Sequence, residues 1–264
     1  VVEFNRASLH NGKITEESMG DSDVSRIAAA KVQIEQFSKS VEELGTAAES
    51  DILADKGVRV AAIGAHVDVG TFRGSYEDVE NLRETESGKL LPVVTNDFVL
   101  YAYQLFKAKS SGADAIKLHA SILPPTEISY MAKIAKKIKL GVVVVVSSVP
   151  QLLGVLDGVP ELENLSVSSR NMQLWKIAPG KARTIMDNEE VRLALASKRT
   201  MGIAMDEDNE ASGGSTAGLT VMLEGLTTTE EILQAREDPL VDGVFLGEEL
   251  IASRLPINEA IKAL

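Results

Sequence analysis

Cysteine is absent from the 264-residue chain. That excludes a disulfide framework, thiolate catalysis and cysteine metal sites. It fits a reducing compartment, either cytoplasm or an organelle interior. Basic residues are in deficit: 27 Lys and Arg stand against 39 Asp and Glu, a formal charge of −12. A duplex-binding protein needs a positive stripe to displace counterions. None is present, which argues against nucleic acid as a partner, and the same charge disfavours an anionic membrane surface. The three histidines, His10, His66 and His119, stand in no metal-ligand spacing, so no metal is expected. No apolar run approaches the roughly 18 residues that a membrane span needs. The longest, Gly141 to Val146, is strand-length. No signal-peptide pattern opens the chain. It begins directly on an apolar strand, which suggests that an upstream segment is missing. No GxGxxG and no P-loop follows that strand, so no nucleotide cofactor is expected.

What is present reads as one α/β domain over 1–264. A single (β/α)₈ barrel takes about 250 residues. A chain of this size buries roughly three quarters of its unfolded surface, so it needs no staple to fold. Eight β-branched apolar runs alternate with helix-length periodic stretches, and that alternation implies a parallel sheet. The runs are Val1–Asn5, Val58–Ile63, Leu91–Thr95, Ala113–His119, Leu140–Ser147, Leu165–Ser169, Leu219–Leu223 and Val241–Leu246. Periodic stretches between them include Leu100–Ser111, Glu127–Ile138, Thr228–Arg236 and Leu250–Leu264. Two segments are too long for simple connections and read as insertions, at about 13–56 and 203–218. The first contains a helix-like stretch, Val24 to Leu44. The second, MDEDNEASGGSTAG from Met205, has the composition of a solvated surface loop.

The strand ends, taken in order, resemble the indole-3-glycerol-phosphate synthase family. Glu3-Phe4-Asn5-Arg6-Ala7-Ser8, then Gly12 and Ile14, looks like that family's E-I-K-R-x-S-P-S-x-G. Phe72-Arg73-Gly74-Ser75 is similar to its F-x-G-S. Leu91 to Phe98 resembles L-P-V-L-R-K-D-F, followed by Tyr103-Gln104 and Gly112-Ala113-Asp114-Ala115-Ile116. Val167 to Met172 looks like I-N-N-R-D-L, Leu223 to Thr227 sits at E-S-G-I, and Phe245 to Leu250 looks like V-G-E-S-L. The resemblance implies a (β/α)₈ TIM barrel that lacks the family's helix before strand one. For a photosynthetic eukaryote it would imply a plastid location.

The family closes an indole ring on a carboxyphenylamino-deoxyribulose phosphate, with loss of carbon dioxide and water. The resemblance carries its roles onto few suitable residues. The strand-one glutamate matches Glu3. The two lysines of strands one and three match Asn5 and Asn96, amides that cannot donate a proton as acids at neutral pH. The strand-five acid has no counterpart between Leu140 and Leu156, and Ser147 takes its place. The strand-six asparagine reads as Ser168. The strand-seven glutamate reads as Leu223, with Glu224 one residue on, a slip that turns the side chain away from the barrel axis. Each lost acid or base costs roughly 10² to 10⁴ in rate. Lys117 and His119 share a parity on strand four, which points one or both inward. Lys117 is therefore the candidate substitute, against a plain reading in which it pairs locally or reaches the rim. A residual phosphate corner would use Arg170, Gly225, Gly247 and Glu248.

These residues imply a barrel that keeps its fold and loses its chemistry. It would serve as a non-catalytic structural or interaction subunit, with the 13–56 insertion and the acidic loop 205–218 as partner surfaces. The alternatives are a divergent active synthase, in which Lys117 replaces a lost lysine, and a sugar-phosphate-binding module.

Overall fold

The computed structural model describes residues 2–4, 7–8, 12–13, 34–35, 38–39, 60–70, 72–174, 176–206 and 218–247. The chain forms two compact units, one of Val1–Ile116 with Leu246–Leu264, the other of Lys117–Phe245. In each unit the sheet strands are parallel, follow chain order and alternate with helices, as the (β/α)₈ class requires.

In the first unit β1 (Val2–Phe4) pairs with β4 (Ile63–His66), Glu3 opposite Gly64. β4 pairs with β5 (Val93–Asn96), His66 opposite Asn96. β5 pairs with the start of β6 (Ala115–His119) through Val94 and Thr95. A short antiparallel pair, β2 (Ala7–Ser8) and β3 (Gly12–Lys13), follows β1. Two helices, α1 (Tyr76–Glu84) and α2 (Glu86–Leu90), separate β4 from β5, and α3 (Ala102–Ser110) separates β5 from β6. Ser75 starts α1 with a reciprocal capping box to Asp78. Ile63, Val79, Leu82, Val93, Leu105 and Ile116 are fully buried in this unit.

Strand β4 lies further along the chain than the run Val58–Ile63 suggests. Gly64 and Ala65 have little β propensity, yet both are buried and both are paired on two sides. Ladder partners, not local preference, fix this strand. The other described strands fall within a few residues of their apolar runs. The expected helices Val24–Leu44 and Leu250–Leu264 fall mostly or wholly outside the described residues, with 34–35 and 38–39 helical. So does most of each insertion.

The second unit continues β6 and adds β7 (Gly141–Val146), β8 (Asn164–Ser168), β11 (Thr220–Glu224) and β12 (Gly243–Phe245). A two-residue hairpin, β9 (Arg170–Asn171) with β10 (Lys176–Ile177), follows β8. The helices are α4 (Pro125–Lys137), α5 (Val149–Gly158), α6 (Lys181–Met186), α7 (Glu189–Asp206) and α8 (Thr229–Glu237). Helix α7 therefore runs through Met205, where composition alone suggests loop. Register is explicit: Ser166 lies opposite Val145 and Met222, and Ser168 lies opposite Glu224, which lies opposite Phe245. Residues matched across a parallel ladder face the same way. One face thus carries Ser166, Ser168, Met222, Glu224 and Phe245. The other carries Leu165, Val167, Val221 and Leu223, all buried.

Asp238 holds this unit's helices together at the turn after α8. Its carboxylate, 1% exposed, accepts from Arg192 at 2.9 Å and Arg183 at 3.3 Å. The Leu240 N–H adds a third donor at 3.0 Å. Burial alone would raise this carboxyl; the Arg192 hydrogen bond and the remaining donors and charges pull it below the usual range. Replacing Asp238 with Ala leaves two arginines facing a buried void. The arginines are partly solvated, so the expected loss is about 2 kcal/mol, below the range for a fully buried pair. Urea unfolding of Asp238→Ala measures it, and an unchanged midpoint would remove Asp238 from this role.

Candidate functional site

Strand parity builds the polar face of the second unit. Lys117 projects from β6 and is 1% exposed. Its Nζ donates to Glu224 Oε2 at 2.8 Å and sits 3.8 Å from the centroid of the Phe245 ring. Ser166 Oγ donates to the same Glu224 oxygen at 3.1 Å. An ammonium taken from water costs several kcal/mol even after relaxation. Here a carboxylate and an aromatic face together offset that cost.

This geometry corrects one expectation. The sequence match equates Leu223 with the family's strand-seven glutamate and turns Glu224 away. Register does the reverse: Glu224 shares the face of Lys117 and Ser166, while Leu223 lies on the opposite face, 1% exposed. The resemblance sets Gly225 against the family's glycine. That glycine turns the chain immediately after β11 at φ 71°, and a Cβ there would meet Ser169 Cβ at 3.3 Å.

The remaining positions on this unit are engaged locally. Ser147 sends its N–H (2.8 Å) and Oγ (3.2 Å) to Gln151 Oε1. Ser168 Oγ accepts from the Arg170 N–H at 3.1 Å. His119 is buried on β6 with the parity of Lys117. Among the described residues no group of three His, Cys, Asp or Glu could hold a metal ion.

In the first unit Asn96, which the sequence resemblance sets against the family's strand-three lysine, is 9% exposed. Its Nδ2 lies 3.2 Å from His66 Nε2, which follows from their pairing across β4 and β5. The His66 ring packs against Phe72 at a centroid distance of 4.0 Å. Asp97 accepts from the Phe98 N–H at 2.7 Å, and burial raises its carboxyl. Burial first, then the Asp97 charge, pushes the Tyr76 phenol up to about 12. Glu3 lies on β1, with only its backbone described. Asn5 and Glu248 fall outside the described residues, and Gly247 is buried after β12.

The loop after β11 is occupied by a carboxylate of the chain itself. Glu231 accepts from the N–H groups of Thr227 and Gly180, each at 2.6 Å, from Thr227 Oγ at 3.0 Å and from the Thr228 N–H at 3.3 Å. Sequence reasoning passed over His66, Ser166, Phe245 and Glu231. Parity would have reached the first three; Thr228-x-x-Glu231 is a capping-box pattern, but the Gly180 contact has no local signal.

With this geometry in view, comparison with known proteins is specific. Residues 25–212 match the family model described as indole-3-glycerol phosphate synthase. The indole-3-glycerol phosphate synthase of Acaryochloris marina is 29% identical over 184 residues, covering 70% of this chain and 52% of that protein. The Prochlorococcus marinus (strain MIT 9301) protein of the same name is 33% identical, covering 48% and 42%. The chloroplastic one of Arabidopsis thaliana is 27% identical, covering 50% and 32%. The chain spans about half or less of the length of these curated relatives. It belongs to the indole-3-glycerol phosphate synthase family.

Two outcomes follow. Lys117→Met strands the Glu224 carboxylate and should cost about 3 kcal/mol, whereas Lys117→Met with Glu224→Leu should recover most of it. Urea unfolding of the two variants decides; a double variant as unstable as the single one means that charge pairing is not the term involved. For Glu231, burial alone would raise the carboxyl, but the backbone donors led by Thr227 and Gly180 pull it below 4.5. A depressed carboxyl stabilises the fold fully above its unfolded value and loses that stabilisation as pH falls through the folded value. The stability gap between wild type and Glu231→Gln should therefore be widest near neutrality and narrow below about pH 4. A gap constant from pH 7 to pH 3 would contradict the assignment.

Proposed function

We propose that this family member no longer performs the ring closure and serves as a structural or interaction subunit on a retained synthase scaffold. The observation that carries this reading is Lys117. It stands as the candidate substitute for the lost lysines, yet its ammonium is closed off by Glu224 and Phe245 and is 1% exposed. A general acid must reach its substrate within about 3 Å. Asn96 supports the same reading, because an amide cannot replace a lysine as an acid. In the loop after β11, the Thr227 and Thr228 N–H groups are already taken by Glu231. That leaves fewer donors for a substrate phosphate. Partner surfaces would be sought in the 13–56 and 205–218 segments, which lie almost wholly outside the described residues. No helix among the described residues is long and apolar enough to cross a membrane.

A second reading, a divergent active synthase, draws support from Glu224. A lysine and a carboxylate 2.8 Å apart can exchange a proton, and the family's chemistry uses such pairs. The two readings separate by assay. Purified protein given the family's carboxyphenylamino-deoxyribulose phosphate should show no indole formation above the uncatalysed background. Turnover near the typical enzyme median of about 10 s⁻¹, abolished by Lys117→Met, would replace the first reading with the second.

A further inference from the structure

The chain's longest stretch without a carboxylate side chain runs from Ile128 to Leu156. It carries Lys133, Lys136, Lys137 and Lys139, a basic cluster in a protein of formal charge −12. The four lysines occupy the last two turns of α4 and the residues just beyond, and all are exposed. Lys133 Nζ lies 3.6 Å from Glu161 Oε1. Among the described residues no carboxylate pairs with Lys136 or Lys137. Lysines in a last turn suit the negative end of the helix dipole. The dipole does not account for Lys139. That residue stands past the helix end at φ 55°, where helices ordinarily place glycine or asparagine. A positive charge is therefore kept there against backbone preference.

Beside the lysines lies a cavity of about 210 Å³, where α4 ends and β7 and β8 begin. Leu140, Val142 and Leu162 give it apolar walls, with Lys136 and Lys139 on one side and Glu161 and Glu163 on the other. Glu161 also accepts from Ser129 Oγ at 3.3 Å. Pockets that hold whole small molecules start near roughly 300 Å³, so this one suits a single side chain. Tyr130, 56% exposed, stands one turn before Lys133 and two before Lys137 and continues their stripe. Exposed tyrosine beside a small apolar pocket is the composition of a protein interface. The surface lies where the strands begin, whereas catalysis in such barrels sits at their other end.

We propose that this face docks an acidic segment of a partner protein, with one aliphatic side chain of that segment in the cavity. The inference rests on the interaction role proposed above and supplies its partner class. Charge complementarity selects the segment: Lys136, Lys137 and Lys139 attract carboxylates, while Glu161 and Glu163 confine them to the lysine side. The apolar walls select a peptide over a nucleic acid, which would use the lysines and leave the cavity empty. Affinity should accordingly fall with salt.

The probe is a capped heptapeptide of glutamates around a central leucine, titrated into the full chain by calorimetry. Wild type should bind it about tenfold more tightly than the same peptide with central alanine. Lys136→Glu with Lys137→Glu, both exposed, should weaken binding about tenfold or more. In wild type with isotopically dimethylated lysines, the resonances of Lys136, Lys137 and Lys139 should move on adding the peptide. Absence of binding, no preference for leucine, unchanged affinity in the double variant or unmoved resonances of these lysines would each overturn the proposal. So would equal binding of a single-stranded oligonucleotide of the same charge, or a dimer in sedimentation that the double variant abolishes, which would give the face to nucleic acid or to a second copy. Turnover in the ring-closure assay would count against the interaction role and leave the peptide result standing. Failure of the peptide with no turnover would remove this face and leave that role.

Discussion

An ammonium cannot be buried alone, and in the second unit the sheet is arranged around that constraint. Lys117 sits in the middle of a strand and cannot reach water. Three other strands answer it: β11 supplies Glu224, β8 supplies the Ser166 hydroxyl on the same carboxylate, and β12 supplies the Phe245 ring. Each contact needs its strand in one register. A shift by one residue would replace Glu224 with Leu223 and leave the charge unanswered. The pair thus works as a register pin as well as an ion pair. In this role its specificity matters more than its net energy, which desolvation keeps small.

The same logic governs the loops beyond the strand ends. Glu231 is a helix-capping residue that also reaches the Gly180 N–H, so one carboxylate fixes the start of α8 and the approach to α6. Asp238 does the equivalent between α6, α7 and the following turn, through Arg183 and Arg192. In this acidic chain, basic residues are the scarcer resource, 27 Lys and Arg against 39 Asp and Glu.

The family scaffold and the site chemistry separate along these lines. Residues that keep the fold are present: Gly225 with its positive φ, Asp97 on the Phe98 N–H, and Gln104, which bonds the backbone of Phe98, Leu100 and Tyr101. Asn96, which the sequence resemblance sets against the family's strand-three lysine, is an amide next to His66. The polar groups of the second unit are largely spent on one another.

The sequence alone determined the alternation of strands and helices, because apolar runs of strand length and amphipathic stretches are local properties. It also determined that no thiol takes part and that Asn96 carries no charge, since these are matters of residue identity. Parity already placed Lys117 and His119 together. Which side of the sheet Glu224 faces, what closes over Lys117 and that Glu231 also takes the Gly180 N–H were decided only by tertiary structure. Those outcomes depend on contacts between residues far apart in the chain: Lys117 with Glu224 and Phe245, Ser166 with Glu224, and Gly180 with Glu231. Ladder register and loop closure set such contacts, and neither leaves a mark in local composition.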